Sequence, residues 1–149
     1  MKIYLGCDHQ GARIKKDIKK YIEGNGFEVE VSNLENYDTD DYPDFAYDVC
    51  QNVLANNGLG ILICGSGIGM SIAANKVKGI RCARVVNEDD AFTCKNHNGA
   101  NVIALSVNTP MSEIEKIIDA FLVTKMPNEE RHIRRISKVE AIEQGTYHA

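Results

Sequence analysis

Residues 59–69 read LGILICGSGIG, an unbroken apolar run that leads into three closely spaced glycines. A run of this kind is typical of a strand that is buried on both faces, as in the centre of a parallel sheet. Glycines directly after such a strand allow a tight turn into a helix. The segment therefore predicts a strand over Leu59–Cys64, a turn over Gly65–Gly69 and an α/β fold.

Apolar runs alternate with amphipathic stretches along the rest of the chain. The predicted strands are Ile3–Cys7, Phe27–Val31, Leu59–Cys64, Ile80–Val86 and Val102–Leu105. The predicted helices are Gly11–Gly24, Phe45–Ala55, Met70–Lys76, Asp89–Lys95, Ser112–Thr124 and Glu130–Glu143. The acidic segment 32–44, SNLENYDTDDYPD, is predicted to be a loop. The alternation predicts a Rossmann-like, doubly wound sheet of five parallel strands, with helices on both faces and an extra C-terminal helix.

The composition is that of one domain spanning residues 1–149, with 44% hydrophobic and 26% charged residues. No apolar run reaches the roughly 18 residues of a membrane helix, and the first residues turn polar too early for a secretory signal. We therefore expect a cytoplasmic protein with no membrane partner. A net charge of −4 argues against nucleic acid as the main partner, which leaves a small molecule.

The five cysteines form no CxxC or CxxH pair, and their number is odd. In a cytoplasmic chain this argues against a disulfide framework and against a structural zinc site. Cys50, Cys82 and Cys94 are expected to be small buried apolar residues. Cys7 and Cys64 lie beside polar loops and are candidates for chemistry.

Ligands of doubly wound sheets bind beyond the carboxyl ends of the strands, which selects the loops after the first and third strands. The GSGIG segment offers free N–H groups for an anion, although a simple tight turn is about as plausible. It fits neither the dinucleotide fingerprint nor the P-loop. Cys64 beside a helix start is a thiol that ionises readily, and Ser66 adds a hydroxyl. A buried structural cysteine and a serine helix cap are the alternatives.

Asp8 and His9 follow the first strand and are expected to face the same crevice. Helix capping is the alternative for Asp8. His97 and Asn98 precede the fifth strand, which places them at the opposite edge of the sheet in the same subunit. A catalytic His97 would therefore require a dimer with shared sites.

Arg131 and Arg135 are four residues apart, so they share one face of the last helix and could clamp a phosphate. Solvated arginines that pair with Glu129 or Glu130 are the commoner case.

The motifs GCDHQG, ILICGSGIGMSIAANK, HNGAN and RHIRR occur in that order from Lys2 to about Gln144. Together they resemble the type B ribose-5-phosphate isomerases, a family that also includes the galactose-6-phosphate isomerase subunits. The resemblance implies a pentose phosphate pathway enzyme that interconverts ribose 5-phosphate and ribulose 5-phosphate through a cis-enediolate. It further implies a homodimer with shared sites, or in some members a tetramer, that works without metal or cofactor. Isomerisation of a six-carbon phosphosugar, allose 6-phosphate or galactose 6-phosphate, is the alternative.

The resemblance also implies a role for each candidate residue. Cys64 is the base, Ser66 helps to move protons, and His97 opens the furanose ring from the second subunit. The reacting end of the sugar lies in an anion hole formed by the loop, where the residues alone would have placed the phosphate. The loop comprises Gly65, Ser66, Gly67, Ile68 and Gly69. Asp8 and Asn98 bind sugar hydroxyls, His9, Arg131 and Arg135 hold the phosphate, and Tyr42 in the acidic loop packs on the sugar.

The chain departs from the family pattern in three places, at four positions. Asn108 stands where an arginine usually contributes to phosphate binding, Glu129 and Glu130 replace two glycines, and Gly99 replaces an acid or asparagine. Other function classes are a nucleotide-binding or phospho-receiver module and a non-catalytic sugar-phosphate sensor. A receiver needs an aspartate where this chain has Cys64, and a sensor would not need the base, hydroxyl and histidine together.

Overall fold

The computed structural model describes residues 1–149 and contains five strands and six helices. The strands are β1 (Lys2–Cys7), β2 (Glu28–Val31), β3 (Leu59–Cys64), β4 (Cys82–Arg84) and β5 (Val102–Ser106). The helices are α1 (Ala12–Gly24), α2 (Tyr42–Asn56), α3 (Ile68–Ala74), α4 (Glu88–Asn96), α5 (Met111–Val123) and α6 (Glu130–Gln144).

All five strands are parallel, and their order across the sheet is β2-β1-β3-β5-β4. β3 lies at the centre, and every one of its residues is buried, as its apolar run predicts. The fold class predicted from the sequence is therefore confirmed.

The direction of each crossover determines which face its helix covers, because parallel crossovers are right-handed. From β2 to β3, and again from β3 to β4, the chain moves in one direction along the sheet. The helices of these two crossovers, α2 and α3, pack on one face through side chains such as Phe45 and Met70. It moves the other way from β1 to β2 and from β4 to β5. The helices α1 and α4, together with α5, accordingly pack on the opposite face.

Two predicted boundaries are wrong in ways that matter for the site. α2 begins at Tyr42 and not at Phe45, so Tyr42 lies in the first helical turn and not in the acidic loop. The loop prediction treats proline as an interruption, but Pro43 stands in the first turn, where its missing N–H costs nothing. α3 likewise begins at Ile68, directly after the glycine turn.

β4 is shorter than the predicted strand Ile80–Val86 and covers only Cys82–Arg84 at the sheet edge. Where β4 begins, asparagine side chains accept the main-chain N–H groups that a neighbouring strand would otherwise bind. Asn101 Oδ1 accepts from the N–H of Arg81 at 2.8 Å, and Asn75 Oδ1 accepts from that of Cys82 at 2.8 Å. Among the six helices, none has the length and apolar character that crossing a membrane requires.

Candidate active site

The carboxyl ends of β1 and β3 are adjacent at the point where the strand order changes direction. Cys7 is paired in register with Ile63, and the N–H of Asp8 donates to the Ile63 carbonyl at 3.2 Å. The loops after these two strands therefore meet, as expected for the ligand crevice of a doubly wound sheet. Asp8 and Cys64 come from different strands and lie at the same edge.

The glycine turn wraps around the sulfur of Cys64. The main-chain N–H of Gly67 donates to Cys64 Sγ at 3.1 Å, and Cys64 is only 5% exposed. Gly67 has a φ of 79°, and a Cβ there would lie 3.1 Å from the main-chain carbon of Leu105. The positive φ strains any other residue and the space for a Cβ is tight, so glycine is strongly favoured at this position. A donated N–H stabilises the thiolate form of the sulfur.

Two carbonyl groups of this turn are held away from the sulfur. Ser106 Oγ donates to the Gly65 carbonyl at 2.7 Å, and Arg84 Nε donates to the Ser66 carbonyl at 2.9 Å. The N–H groups of Ser66 and Gly69 have no acceptor within the chain. The turn thus presents unpartnered donors next to a thiol, which is the arrangement that stabilises a developing oxyanion.

The side chain of Ser66 is exposed, and its Oγ accepts from the N–H of Ile68 at 3.1 Å. The N-cap of α3 is Gly67, so Ser66 is not the helix cap considered from the sequence. Its contact with Ile68 uses only a lone pair of the hydroxyl oxygen, so the proton remains available to a ligand.

The other four thiols are poor candidates for a base. Burial raises the pKa of Cys7 to about 11, that of Cys94 to about 11 and that of Cys50 to about 12. Burial also raises the pKa of Cys82. Cys50 and Cys94 are buried as predicted, whereas Cys82 on the edge strand is only partly buried.

Asp8 is buried and uses one of its carboxylate oxygens to hold the turn that precedes α1. Its Oδ1 accepts from the N–H of Gln10 at 3.0 Å and of Gly11 at 3.1 Å. Its Oδ2 accepts no hydrogen bond within the chain. The N-cap of α1 is Gly11, so Asp8 does not cap the helix itself. One oxygen holds the preceding turn, and the second is left for a ligand hydroxyl.

His9 is fixed by Asp40, a residue that sequence reasoning missed. Asp40 Oδ1 lies 2.7 Å from His9 Nδ1 and accepts the main-chain N–H of His9 at 2.9 Å. Burial opposes ionisation of Asp40, but hydrogen bonds from Asn36, His9 and Tyr37 outweigh it and hold the pKa of its carboxyl below the ordinary value. The hydrogen bond to Asp40 in turn raises the pKa of His9. The protonated form of His9, which would attract an anionic ligand, is therefore favoured.

Asp8, His9 and Asp40 could each offer one ligand atom to a metal ion, since these atoms lie within 4.8 Å of one another. His9 Nδ1 and Asp40 Oδ1 are already bonded to each other, however. The geometry is that of an ion pair, and a metal would have to break it.

Two further side chains border the glycine turn. The ring of Tyr42 lies against Gly69, because a Cβ there would be 2.8 Å from ring atoms. Tyr42, which the family resemblance implies at the sugar, thus borders the glycine turn, from a helix and not from a loop. The amide of Gln10 lies over Gly65 and would block a side chain at that glycine. Sequence reasoning did not select Gln10, although it directly follows the Asp8–His9 pair.

His97 and Asn98 lie at the opposite, amino-terminal edge of the sheet, as predicted. α4 runs back along the sheet and ends before His97, and residue 101 then leads into β5. Arg135 also lines this second cleft, which has a volume of about 700 Å³. Within one chain, the structure brings together Cys64, Ser66, Asp8, His9 and Tyr42 but does not bring His97, Asn98 or Arg135 to them.

The ring of His97 stacks on that of His132, with centroids 4.3 Å apart and an angle of 13° between the planes. Burial, followed by the nearby His97 and Arg131, lowers the pKa of His132. Nε2 of His132 is buried and has no hydrogen-bond partner. The ring of His132, whose neutral form is favoured, thus packs directly against that of His97. The RHIRR motif marked this helix for its arginines, and the histidine between them was not selected.

Arg131 does not point to a free phosphate site in the single chain. Its Nε donates to Glu129 Oε2 at 2.9 Å, and both side chains are 57% exposed. A solvated arginine paired with Glu129 is the alternative that the sequence left open. Exposed ion pairs of this kind contribute little stability, so the pair can be broken at low cost.

The chain is similar to known proteins over nearly its whole length. The family described as Ribose/Galactose Isomerase matches residues 3–139. A Mycoplasma genitalium protein named as a probable ribose-5-phosphate isomerase B is 42% identical over 148 residues, which is 97% of each chain. The structure of ribose-5-phosphate isomerase B from Clostridium thermocellum superposes with a TM-score of 0.92 at 37% identity, over 97% of this chain and 99% of that one.

A second solved structure, ribose-5-phosphate isomerase B of Mycoplasma genitalium, contains bound ribulose 5-phosphate. It has a TM-score of 0.89 and 41% identity, and the match covers 96% of both chains. The sequence match, the matching fold and the paired loops around Cys64 agree with one another. This chain belongs to the ribose/galactose isomerase family of enzymes.

Proposed function

We propose that this chain is a single sugar-phosphate isomerase domain, residues 1–149, that interconverts ribose 5-phosphate and ribulose 5-phosphate in the pentose phosphate pathway. Cys64 acts as the base, and the intermediate is a cis-enediolate. The observation that carries the proposal is the contact between Cys64 Sγ and the N–H of Gly67, 3.1 Å long, inside a turn with further free donors. The ribulose 5-phosphate bound to the Mycoplasma genitalium relative supports the choice of substrate.

The reaction moves one proton between two carbons and one between two oxygens. The Cys64 thiolate removes the proton from C2 of the open-chain aldose, and the released electron pair forms the C1–C2 double bond while O1 becomes negative. The N–H groups of the turn stabilise this oxygen, each such donor being worth about 3 kcal/mol in comparable sites. Ser66 passes the proton of O2 to O1, and the Cys64 thiol returns its proton to C1. The ketose forms and the thiolate is regenerated.

Ring opening requires an acid–base group near the sugar oxygen, and we assign it to His97 of a second subunit. Within one chain His97 lies at the edge of the sheet opposite to Cys64, so only another copy can bring them together. Asn98 would arrive with His97 and, together with Asp8, bind sugar hydroxyls. Tyr42, whose ring borders Gly69, would pack on the sugar.

The surface of the chain supports a homodimer. α6 has 15 residues but buries only His132 against its own chain. Val139 and Ile142 on the same helix are 52% and 62% exposed, and Ile72 on α3 is 57% exposed. Large apolar side chains exposed on one helix are typical of an interface between subunits. Pairs of such dimers would make a tetramer.

The phosphate is assigned to His9 of one subunit and to Arg131 and Arg135 of the other. The hydrogen bond to Asp40 favours the positively charged form of His9, and the two arginines share one helical face. Arg131 would have to exchange Glu129 for the phosphate, and a charge-assisted bond to a dianion outcompetes an exposed ion pair.

The first experiment measures isomerisation of ribose 5-phosphate by the purified chain in the presence of a chelator, beside allose 6-phosphate and galactose 6-phosphate. We expect turnover without metal and a higher kcat/KM on the five-carbon sugar. Replacement C64A should remove most turnover while the protein stays folded. Wild-type turnover by folded C64A would show that Cys64 is not the base, and a preference for a six-carbon sugar would overturn the assigned substrate.

A mixing experiment tests the shared site. C64A and H97A subunits should each be inactive, but a mixed dimer would contain one intact site, with Cys64 from one chain and His97 from the other. Random exchange of equal amounts should restore about a quarter of the wild-type sites, as for any two-fold symmetric dimer. No recovery after verified subunit exchange would show that the site is not shared in this way.

A further inference from the structure

The peptide group between Ser66 and Gly67 is held at both ends. Its carbonyl oxygen accepts from Arg84 Nε at 2.9 Å, and its N–H donates to Cys64 Sγ at 3.1 Å. The two contacts belong to one planar amide, so moving either end moves the other. Arg84, on the edge strand β4, is thereby connected to the sulfur through a single peptide unit.

We propose that Arg84 is a positioning residue for Cys64 and acts through the Ser66–Gly67 peptide. The proposal rests on the function proposed above for Cys64. A guanidinium at the carbonyl polarises the amide and makes its N–H a stronger donor, because hydrogen bonds in a chain reinforce one another. The stronger donor favours the thiolate over the thiol. Arg84 also fixes the direction of that N–H, which Gly67 with its free φ would not hold unaided.

The surroundings of Arg84 leave it free for this role. It is the last residue of β4, is exposed, and forms no ion pair with any carboxylate of the chain. Tyr42 from α2 and Arg84 from β4 contact the glycine turn, and Asp8 in the β1 loop lies at the same edge of the sheet. Arg84 is the one cation among these three. No carboxylate therefore neutralises the charge of Arg84, which lies at the Ser66 carbonyl.

The test follows Cys64 directly, without sugar, through the pH dependence of its alkylation by iodoacetamide, with the modified peptide quantified by mass spectrometry. In R84M the midpoint of this profile should move upward by about half a pH unit, which lowers the thiolate fraction below the midpoint about threefold. The kcat at neutral pH should fall by a similar factor with little change in KM. R84K, which keeps the charge and a donor, should lie between R84M and wild type.

The matched control is R13M. Arg13 is also an exposed arginine, and its Nη2 donates to a main-chain carbonyl, that of Val107, at 3.0 Å. This contact does not involve the glycine turn, so R13M should leave the alkylation profile of Cys64 unchanged.

Three outcomes would overturn the proposal: an unmoved profile in R84M, a kcat loss that is equal at every pH, or a lowered Tm with wild-type alkylation. The last two would mean that Arg84 acts only on folding or on another step. Failure of the proposed function would give another result: wild type would not isomerise ribose 5-phosphate, or C64A would retain turnover. The alkylation profiles still decide the role of Arg84 in that case.

Discussion

Replacing Gly67 by alanine should damage both stability and turnover. An L-residue at a φ of 79° costs about 1–2 kcal/mol. The added Cβ would lie 3.1 Å from the main-chain carbon of Leu105, on β5, which is paired with a strand on each side. Overpacking of this kind costs a further 1–3 kcal/mol, roughly. The sum of about 2–5 kcal/mol should lower Tm by several degrees or more for a domain of this size.

Relief of the clash must displace the turn, and with it the N–H that contacts Cys64. Loss of one such donor typically lowers kcat about 100-fold. The matched control is G26A, because Gly26 has a φ of 87° and nothing lies within 4 Å of its Cβ position. G26A should lose only the stability that an L-residue at positive φ costs, about 1–2 kcal/mol, and should keep full turnover. Thermal unfolding at fixed protein concentration and initial rates on ribose 5-phosphate measure both effects. If folded G67A turned over like G26A, the reasoning about the turn would be refuted.

Three other contacts lead to further predictions. The raised pKa of His9 means that its positive charge is kept below that pKa and lost as the pH rises through it, so KM for the phosphosugar should increase at alkaline pH. D40N should move that increase to lower pH, and identical KM profiles would contradict the role of Asp40. Replacement K95M leaves the carbonyl of Phe121 at the end of α5 without its buried donor, and urea unfolding should show a loss of about 1–3 kcal/mol. A wild-type urea midpoint would show that this contact is dispensable. I142E places a charge on the exposed face of α6 and should shift sedimentation toward the monomer without unfolding the chain; an unchanged sedimentation coefficient would exclude that face from the interface.

The sequence predicted those features that depend on local pattern and on element order. The apolar run Leu59–Cys64 has only one environment that suits it, the centre of a parallel sheet. Once β1 and β3 were neighbours, Asp8 and Cys64 had to meet at one edge. The position of His97 at the opposite edge followed in the same way, because a helix between parallel strands runs back along the sheet.

Features that depend on distant side chains could not be predicted in this way. Asp40 lies in an acidic segment that resembles an ordinary solvated charge run, and only the fold brings it to His9. Arg84 is one residue of an apolar strand pattern, and its contact with Ser66 spans 18 positions. Pro43 was assigned to the wrong element because proline both interrupts and begins helices, and the local sequence alone does not distinguish the two roles.

The separation of Cys64 and His97 within one chain also has a kinetic consequence. Each subunit can form its sheet and helices alone, in a first-order process. A complete site on the proposed scheme forms only by collision of two folded chains, in a second-order process. On refolding from denaturant, circular dichroism should therefore recover at a rate independent of protein concentration. Recovery of activity should lag behind it, and the lag should lengthen as the protein is diluted.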